Sequence, residues 1–346
     1  MELNEEASRR GRRLRILVSR LRFLGDVIIT TPVIKALKEC YPEAEIYYLA
    51  QEEYASVLEE NPFLEGVLAL RKGAAGTFRI IREIRDLRFT AALDLFYNPR
   101  SANILFLSGI PIRIGGSRKF RKRLYTDNFS VSPEVRSAVR HHLCAMEVIG
   151  CEPGEPACPR VYLRREEVAR GREILKNMTG LEPESSEIIT IHPGGTWQAK
   201  RWPPELFAAL IDKIYSDMGA EAVLITGPGE EGTVEQVAGS CSFNPGIIPF
   251  LPVRKAAAVM AVSSAVIAND GGIMHLAVAL NKPTVGIFGP TEPDIWFPYS
   301  GMGPFRLATV NKECAPCHRH YCENPECLTD IAPGDVYREL MAVRGG

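Results

Sequence analysis

Three short stretches of the chain set glycine beside charge directly after an apolar run. Residues 192–202 read HPGGTWQAKRW. Gly194 and Gly195 allow a ligand to approach the backbone closely, and Thr196 offers a hydroxyl. Lys200 and Arg201 can neutralise phosphate charge ahead of a helix N-terminus. The competing reading is a glycine turn carrying two solvated cations. Residues 269–275 read NDGGIMH. Asp270 ends a strand-like run, and Gly271 and Gly272 let backbone N–H groups point at an anion. His275 falls on the first turn of the helix that follows, where it either faces the same crevice or is a satisfied structural group. The third stretch is Leu24-Gly25-Asp26. There the glycine permits a sharp turn, and Asp26 is either an ordinary helix cap or a carboxylate facing a crevice.

Two further patterns invite chemistry. Residues 227–232, GPGEEG, match the dinucleotide fingerprint literally, but after Glu235 the next acid is Asp270, too far for the ribose contact that fingerprint requires. Two glutamates at the helix entry also repel a pyrophosphate, so the nicotinamide reading is rejected. One of them can instead accept hydrogen bonds from a ribose. Cys314, Cys317, Cys322 and Cys327 form C-x2-C-x4-C-x4-C. Four thiolates at this spacing suit a structural zinc or an iron–sulfur cluster, with His318 and His320 as alternative ligands. A self-folded loop of reduced thiols is the competing reading.

These loops need elements to hold them. Apolar runs at 14–19, 45–50, 91–96, 188–192, 222–227, 265–270 and 283–289 read as strands. They alternate with helix-like runs at 27–40, 52–60, 77–88, 134–149, 164–178, 203–217, 231–239 and 273–280. Such alternation predicts an α/β chain with parallel sheets, whose ligands lie at loops leaving the strand C-termini. The 346 residues suffice for two domains, joined near the polar linker at 181–187. The composition is that of a soluble globular protein, with net charge −1. Charge is nevertheless clustered: residues 9–22 hold seven arginines and no acid, and residues 113–123 hold Arg113, Arg118, Lys119, Arg121, Lys122 and Arg123. No secretory signal or membrane-spanning run is visible, so a cytoplasmic protein is expected, with its five scattered cysteines as buried apolar fillers.

Taken together, RILVSRLRFLGDVIITTPVIKALKECYPEAEIYYLA, IHPGGTWQAKRWPPELFAALI and VIANDGGIMHLAVALNKPTVGIFGPTEP resemble the three signatures of the heptosyltransferase-like glycosyltransferase family 9, in that family's order. The closing cysteines resemble a tail found in many members. The resemblance implies a GT-B architecture, in which two Rossmann-like domains with parallel sheets face each other across a cleft. The expected units are residues 1–180 on the acceptor side and 181–332 on the donor side, the latter including the Cys-rich segment 314–327. A C-terminal helix within 333–346 is expected to pack back on the first domain.

The resemblance further implies inverting, metal-independent transfer of a sugar, heptose from ADP-heptose in the best-known members, to the lipopolysaccharide inner core. Asp26 matches the family's general base. Lys200 matches its diphosphate lysine, with Gly195 and Thr196 beside it. Asp270, Gly271, Gly272 and His275 match the donor loop, and Glu231 the acid that meets the ribose. Two serines commonly precede Leu-Gly-Asp in this family; here Arg22 and Phe23 stand there, and an arginine suits an anionic acceptor. Arg113, Arg118 and Arg121 then read as an acceptor patch beside the inner membrane. A monomer that touches that membrane peripherally, binds a nucleotide-sugar and an anionic lipid-linked glycan, and has no nucleic-acid partner is expected. The alternatives are an epimerase-type enzyme on the same architecture and a metal-stabilised nucleic-acid-binding protein. Against the latter, neither basic stretch shows the interleaved aromatics of a stacking platform.

Overall fold

The computed structural model describes residues 3–9, 11–117 and 123–345. It divides into two compact units, Met1–Tyr162 and Leu163–Gly346. In the first unit β1 (Arg15–Ser19), β2 (Glu45–Gln51), β3 (Gly66–Leu70), β4 (Ala91–Asp94), β5 (Ile112–Gly116) and β6 (Asp127–Phe129) form one parallel sheet in the order 3-2-1-4-5-6. In the second unit β7 (Ile188–His192), β8 (Glu221–Ile225), β9 (Gly246–Ile248), β10 (Ala265–Asn269), β11 (Thr284–Phe288) and β12 (Phe305–Thr309) repeat that order as 9-8-7-10-11-12. Each sheet therefore reverses its strand order once, between β1 and β4 and between β7 and β10. Crevices for ligands open beyond the strand ends at such reversals. All three glycine-and-charge loops leave strands at these two places.

β7, β10 and β11 are buried along their whole length, as strands covered by helices on both faces must be. Edge strands β3, β6, β9 and β12 are only partly buried, which is why their apolar signal does not stand out in the sequence. The helix expected over 27–40 is two helices, Leu24–Ile29 and Thr31–Cys40. They break at Thr30, whose hydroxyl donates to the Val27 carbonyl at 2.7 Å.

The boundary falls about eighteen residues earlier than the linker suggests. Helix Arg165–Thr179 packs on helix Val253–Val262 of the second unit. A Cβ on Gly171 would lie 2.2 Å from the Ala258 carbonyl oxygen, so the two backbones touch where only glycine fits. Glu167 and Arg254 join the same helices through two hydrogen bonds of 2.6 and 2.5 Å. The closing helix Pro333–Arg344, expected on the first unit, is built into the second: Val336, Leu340 and Val343 lie in its core with Trp202, Phe207 and Ile287.

Cys40 and Cys151 are joined in a disulfide, contrary to the expectation of reduced fillers. The end of helix Thr31–Cys40 meets the Gly150 turn, where the Tyr41 hydroxyl donates to the Ile149 carbonyl at 2.7 Å. A separation of 111 residues hides this pairing from any local pattern. Among the described residues, no helix is long and apolar enough to cross a membrane.

Substituting Gly171→Ala is expected to destabilise the second unit by about 1–3 kcal/mol in denaturant unfolding, through backbone overpacking. A second expectation concerns acid. The Arg254 guanidinium holds the Glu167 carboxyl at about 2, below its ordinary 4.5. A depressed carboxylate stabilises the fold above its unfolded value and loses that contribution as pH falls through the folded one. Glu167→Gln should therefore cost about 1–3 kcal/mol near neutrality, and progressively less as the pH of the unfolding experiment is lowered from about 4.5 towards 2.

Candidate functional site

In the second unit, the 193–202 loop leaves β7 and is held by one buried and one partly buried side chain. Asn269, the last residue of the neighbouring β10, donates from Nδ2 to the carbonyls of Pro193 (2.8 Å) and Gly194 (3.0 Å). Its Oδ1 accepts the Trp202 N–H at 3.2 Å. Glu230 enters from the loop after β8. Its Oε2 accepts the Gly227 N–H at 3.0 Å and lies 2.9 Å from His192 Nε2, which donates to it. The Gly195 amide also bonds to this carboxylate. Burial pushes the Glu230 carboxyl up, but the His192 contact and the two amides outweigh it, leaving it below its ordinary value. A Cβ on Gly194 would lie 1.9 Å from Glu230 Oε2, and one on Gly227 2.2 Å from it. Those glycines therefore make room for a carboxylate of the chain itself, which is the physical reason that GPGEEG is not a diphosphate cradle.

The loop ends in a short 3-10 turn, Gln198–Lys200, that presents Lys200. Lys200 Nζ is 2.6 Å from Asp270 Oδ2 and 4.4 Å from the centre of the Trp197 ring. Asp270 Oδ2 also accepts the Thr291 hydroxyl at 2.5 Å. Arg201, the second cation of the motif, turns back and donates from Nε to the Gly195 carbonyl at 2.7 Å, so it shapes the loop. Gly195 is buried and Thr196 exposed. Helix Gly272–Ala279 starts directly after Asp270 and Gly271, and its first N–H groups have no partner within the helix. This places Gly195, Thr196, Lys200, Asp270, Gly271 and Gly272 on the two loops that leave adjacent strands. Glu231 is exposed on the first turn of helix Glu231–Ser240, one residue beyond the partly buried Glu230. His275 is buried, and its Nδ1 lies 2.8 Å from the Tyr299 hydroxyl.

In the first unit, Asp26 caps a helix. It is the third residue of helix Leu24–Ile29 and accepts the Phe23 N–H at 3.2 Å, as a capping carboxylate does. Its other oxygen pairs with Arg20, a residue not singled out in the sequence. Arg20 also donates to the Leu95 carbonyl at 3.0 Å and lies 4.7 Å over the Phe96 ring, so it ties the loop after β1 to the loop after β4. Asp94, at the end of β4, accepts the N–H groups of Phe96 and Tyr97 and the Tyr125 hydroxyl, while burial raises its carboxyl above the ordinary value. Arg22 is exposed, with its guanidinium 5.2 Å from the Phe23 ring centre.

Two sequence expectations need revision. Arg113 is at the start of β5 and donates to the carbonyls of Leu124 and Ile110, with its guanidinium over Phe106. It holds its own turn, at the strand end remote from the Asp26 loop, instead of reaching towards an acceptor there. Arg118 and Arg121 lie outside the described residues. The zinc or cluster reading of Cys314, Cys317, Cys322 and Cys327 also lacks support: among the described residues no group of three or more Cys, His, Asp or Glu side chains is arranged to hold a metal ion. Cys327 belongs to the hydrophobic core, and burial, with the nearby thiols, pushes it up to about 11.

A family model described as glycosyltransferase family 9 (heptosyltransferase) matches residues 77–327. Lipopolysaccharide heptosyltransferase 2 of Escherichia coli K12 is 26% identical, over 95% of this chain and 98% of its own. A solved glycosyl transferase family 9 structure from Veillonella parvula superposes with a TM-score of 0.85 at 24% identity, covering 96% of this chain and 97% of its own. E. coli ADP-heptose LPS heptosyltransferase II superposes at 0.80, with 23% identity and coverages of 96% and 98%. The fold is GT-B.

Gly194→Ala is expected to displace Glu230 and loosen the Lys200 loop, costing about 1–3 kcal/mol in thermal or denaturant unfolding. Glu230→Gln, which keeps the size but weakens the charged hydrogen bonds, should cost less.

Proposed function

The chain belongs to glycosyltransferase family 9, and we propose that it transfers heptose from ADP-heptose to a growing lipopolysaccharide core, inverting the donor carbon without a catalytic metal. The observation that carries this reading is Lys200. Its ammonium is presented by a braced loop at the strand-order reversal, paired with Asp270 and beside the start of a helix. The names of the relatives support the donor and acceptor classes.

The chemistry follows from these residues. As the acceptor oxygen bonds to the donor's anomeric carbon, the bond to ADP breaks and negative charge develops on the departing phosphate. Lys200 exchanges Asp270 for that phosphate, and the Gly271 and Gly272 amides and the Thr196 hydroxyl add donors where charge accumulates, while Gly195, whose N–H is taken by Glu230, shapes the loop beside them. Asp270 keeps its bond from Thr291. Glu231 accepts from the ribose, and His275 holds the donor helix against Tyr299. Asp26 accepts the proton of the acceptor hydroxyl, with Arg20 and the Phe23 amide fixing the direction of its carboxylate. Arg22 meets anionic groups of the acceptor. The work is done at the cytoplasmic face of the inner membrane, with peripheral contact.

Calorimetric titration with ADP, UDP and GDP tests the donor. ADP should bind selectively, and Lys200→Ala should weaken it by about 1.5–3 kcal/mol, the range for charge-assisted hydrogen bonds. Preference for UDP or GDP overturns the heptose donor, and binding of none of the three overturns the reading as a whole. Asp26→Asn should bind ADP as the parent does while losing transfer. Retained turnover in that variant removes Asp26 as the base.

A further inference from the structure

Residues 314–327 have no part in the reaction as derived, yet they lie against both loops that hold the Lys200–Asp270 pair. On one side, three consecutive residues of the Lys200 loop are engaged. The Trp197 indole stacks on the His320 imidazole with ring centres 3.9 Å apart and an interplanar angle of 24°. The Gln198 Oε1 accepts the Cys322 N–H at 3.2 Å, and the Ala199 N–H donates to the His320 carbonyl at 3.1 Å. Lys200 comes next, with its ammonium over that same indole. On the other side, the N–H groups of Cys317 and His318 donate to the Pro290 carbonyl at 3.0 and 2.9 Å, and His318 Nε2 is 2.5 Å from Glu292. Between Pro290 and Glu292 is Thr291, whose hydroxyl fixes Asp270.

The Cys-rich segment is thus a strap between the loop that carries the cation and the loop that orients its counter-ion. We propose that the strap belongs to the donor site, and that His320, acting through Trp197, is a positioning residue for Lys200. The chain of contacts has a physical logic. Lysine is a flexible four-carbon stem, and holding its ammonium in one place costs side-chain entropy. An aromatic face attracts the ammonium, but only if the ring is itself fixed. Trp197 is only partly buried, and the imidazole stacked on it, with the two flanking backbone hydrogen bonds, supplies that fixation. His320 is exposed and outside the core, so truncating it leaves the packing of the unit intact.

The inference rests on Lys200 meeting the donor diphosphate, so its test has one arm that needs no nucleotide. In that arm Lys200 acylation by acetic anhydride is followed by peptide mass spectrometry in the parent, His320→Ala and His320→Phe. Loss of the stack should expose Lys200 and raise its labelling rate about three- to tenfold in His320→Ala, while the flat ring of His320→Phe restores the parent rate. Equal labelling in all three proteins overturns the proposal whatever the nucleotide data show. In the second arm, ADP affinity should fall about three- to tenfold in His320→Ala and recover in His320→Phe. The donor KM should rise with it and kcat should fall as well, because Lys200 also meets the charge that develops on the departing phosphate. Parent-like ADP affinity in His320→Ala, alongside a loss in Lys200→Ala, overturns the strap's role and leaves the donor reading standing. Failure of the parent itself to bind ADP overturns the donor reading, and the labelling arm then decides the strap alone.

Discussion

Everything at the second unit's ligand loops depends on the pairing of β7 with β10, because only adjacent strands bring Asn269 beneath the 193–202 loop. A buried side-chain amide that donates to two carbonyls and accepts one N–H has nearly all its hydrogen-bonding capacity used, so the loop has little freedom to slide. Glu230 adds a second anchor of a different kind, a charge stabilised by an imidazole and two amides. Its position leaves no room for anything larger than hydrogen on Gly194 and Gly227. Gly194 is thus fixed by internal packing, and Lys200, six residues further on, inherits a defined position.

Much of this was legible in the sequence where one strong local signal sufficed. Fully apolar central strands, the glycine-and-charge loops after them and the alternation of elements all identified themselves. Edge strands such as β9 and β12 did not, because half-buried strands carry mixed sequences. Asn269 and Arg20 were hidden for another reason: a polar residue at a strand end looks the same whether it braces a neighbouring loop or faces solvent. Glu230 and Glu231 are adjacent and chemically identical, and burial alone separates the one that holds the loop from the one that stays exposed. The separation of Cys40 from Cys151 and the docking of helix Arg165–Thr179 are decided by tertiary contact, which no linker composition encodes.

The charges at the two ends of the chemistry are organised differently. Asp26 is partly exposed and shares one oxygen with an arginine and the other with a backbone amide, an arrangement that orients a carboxylate and leaves it within reach of solvent. Asp270 is almost fully buried and is held by a hydroxyl and an ammonium. A buried carboxylate paired with a flexible ammonium fixes where that ammonium rests.

The two sheets share one strand order, with the reversal at the same rank in each. Asp26 follows the first strand of its unit and the Lys200 loop follows the first strand of the other, so the proposed proton acceptor and the proposed phosphate cation occupy the same address in two copies of one plan. A plan used twice offers each crevice loop in duplicate. One copy is then free to acquire an acid without removing the cation from the other, and opposite charges that would neutralise each other on a single loop can specialise apart.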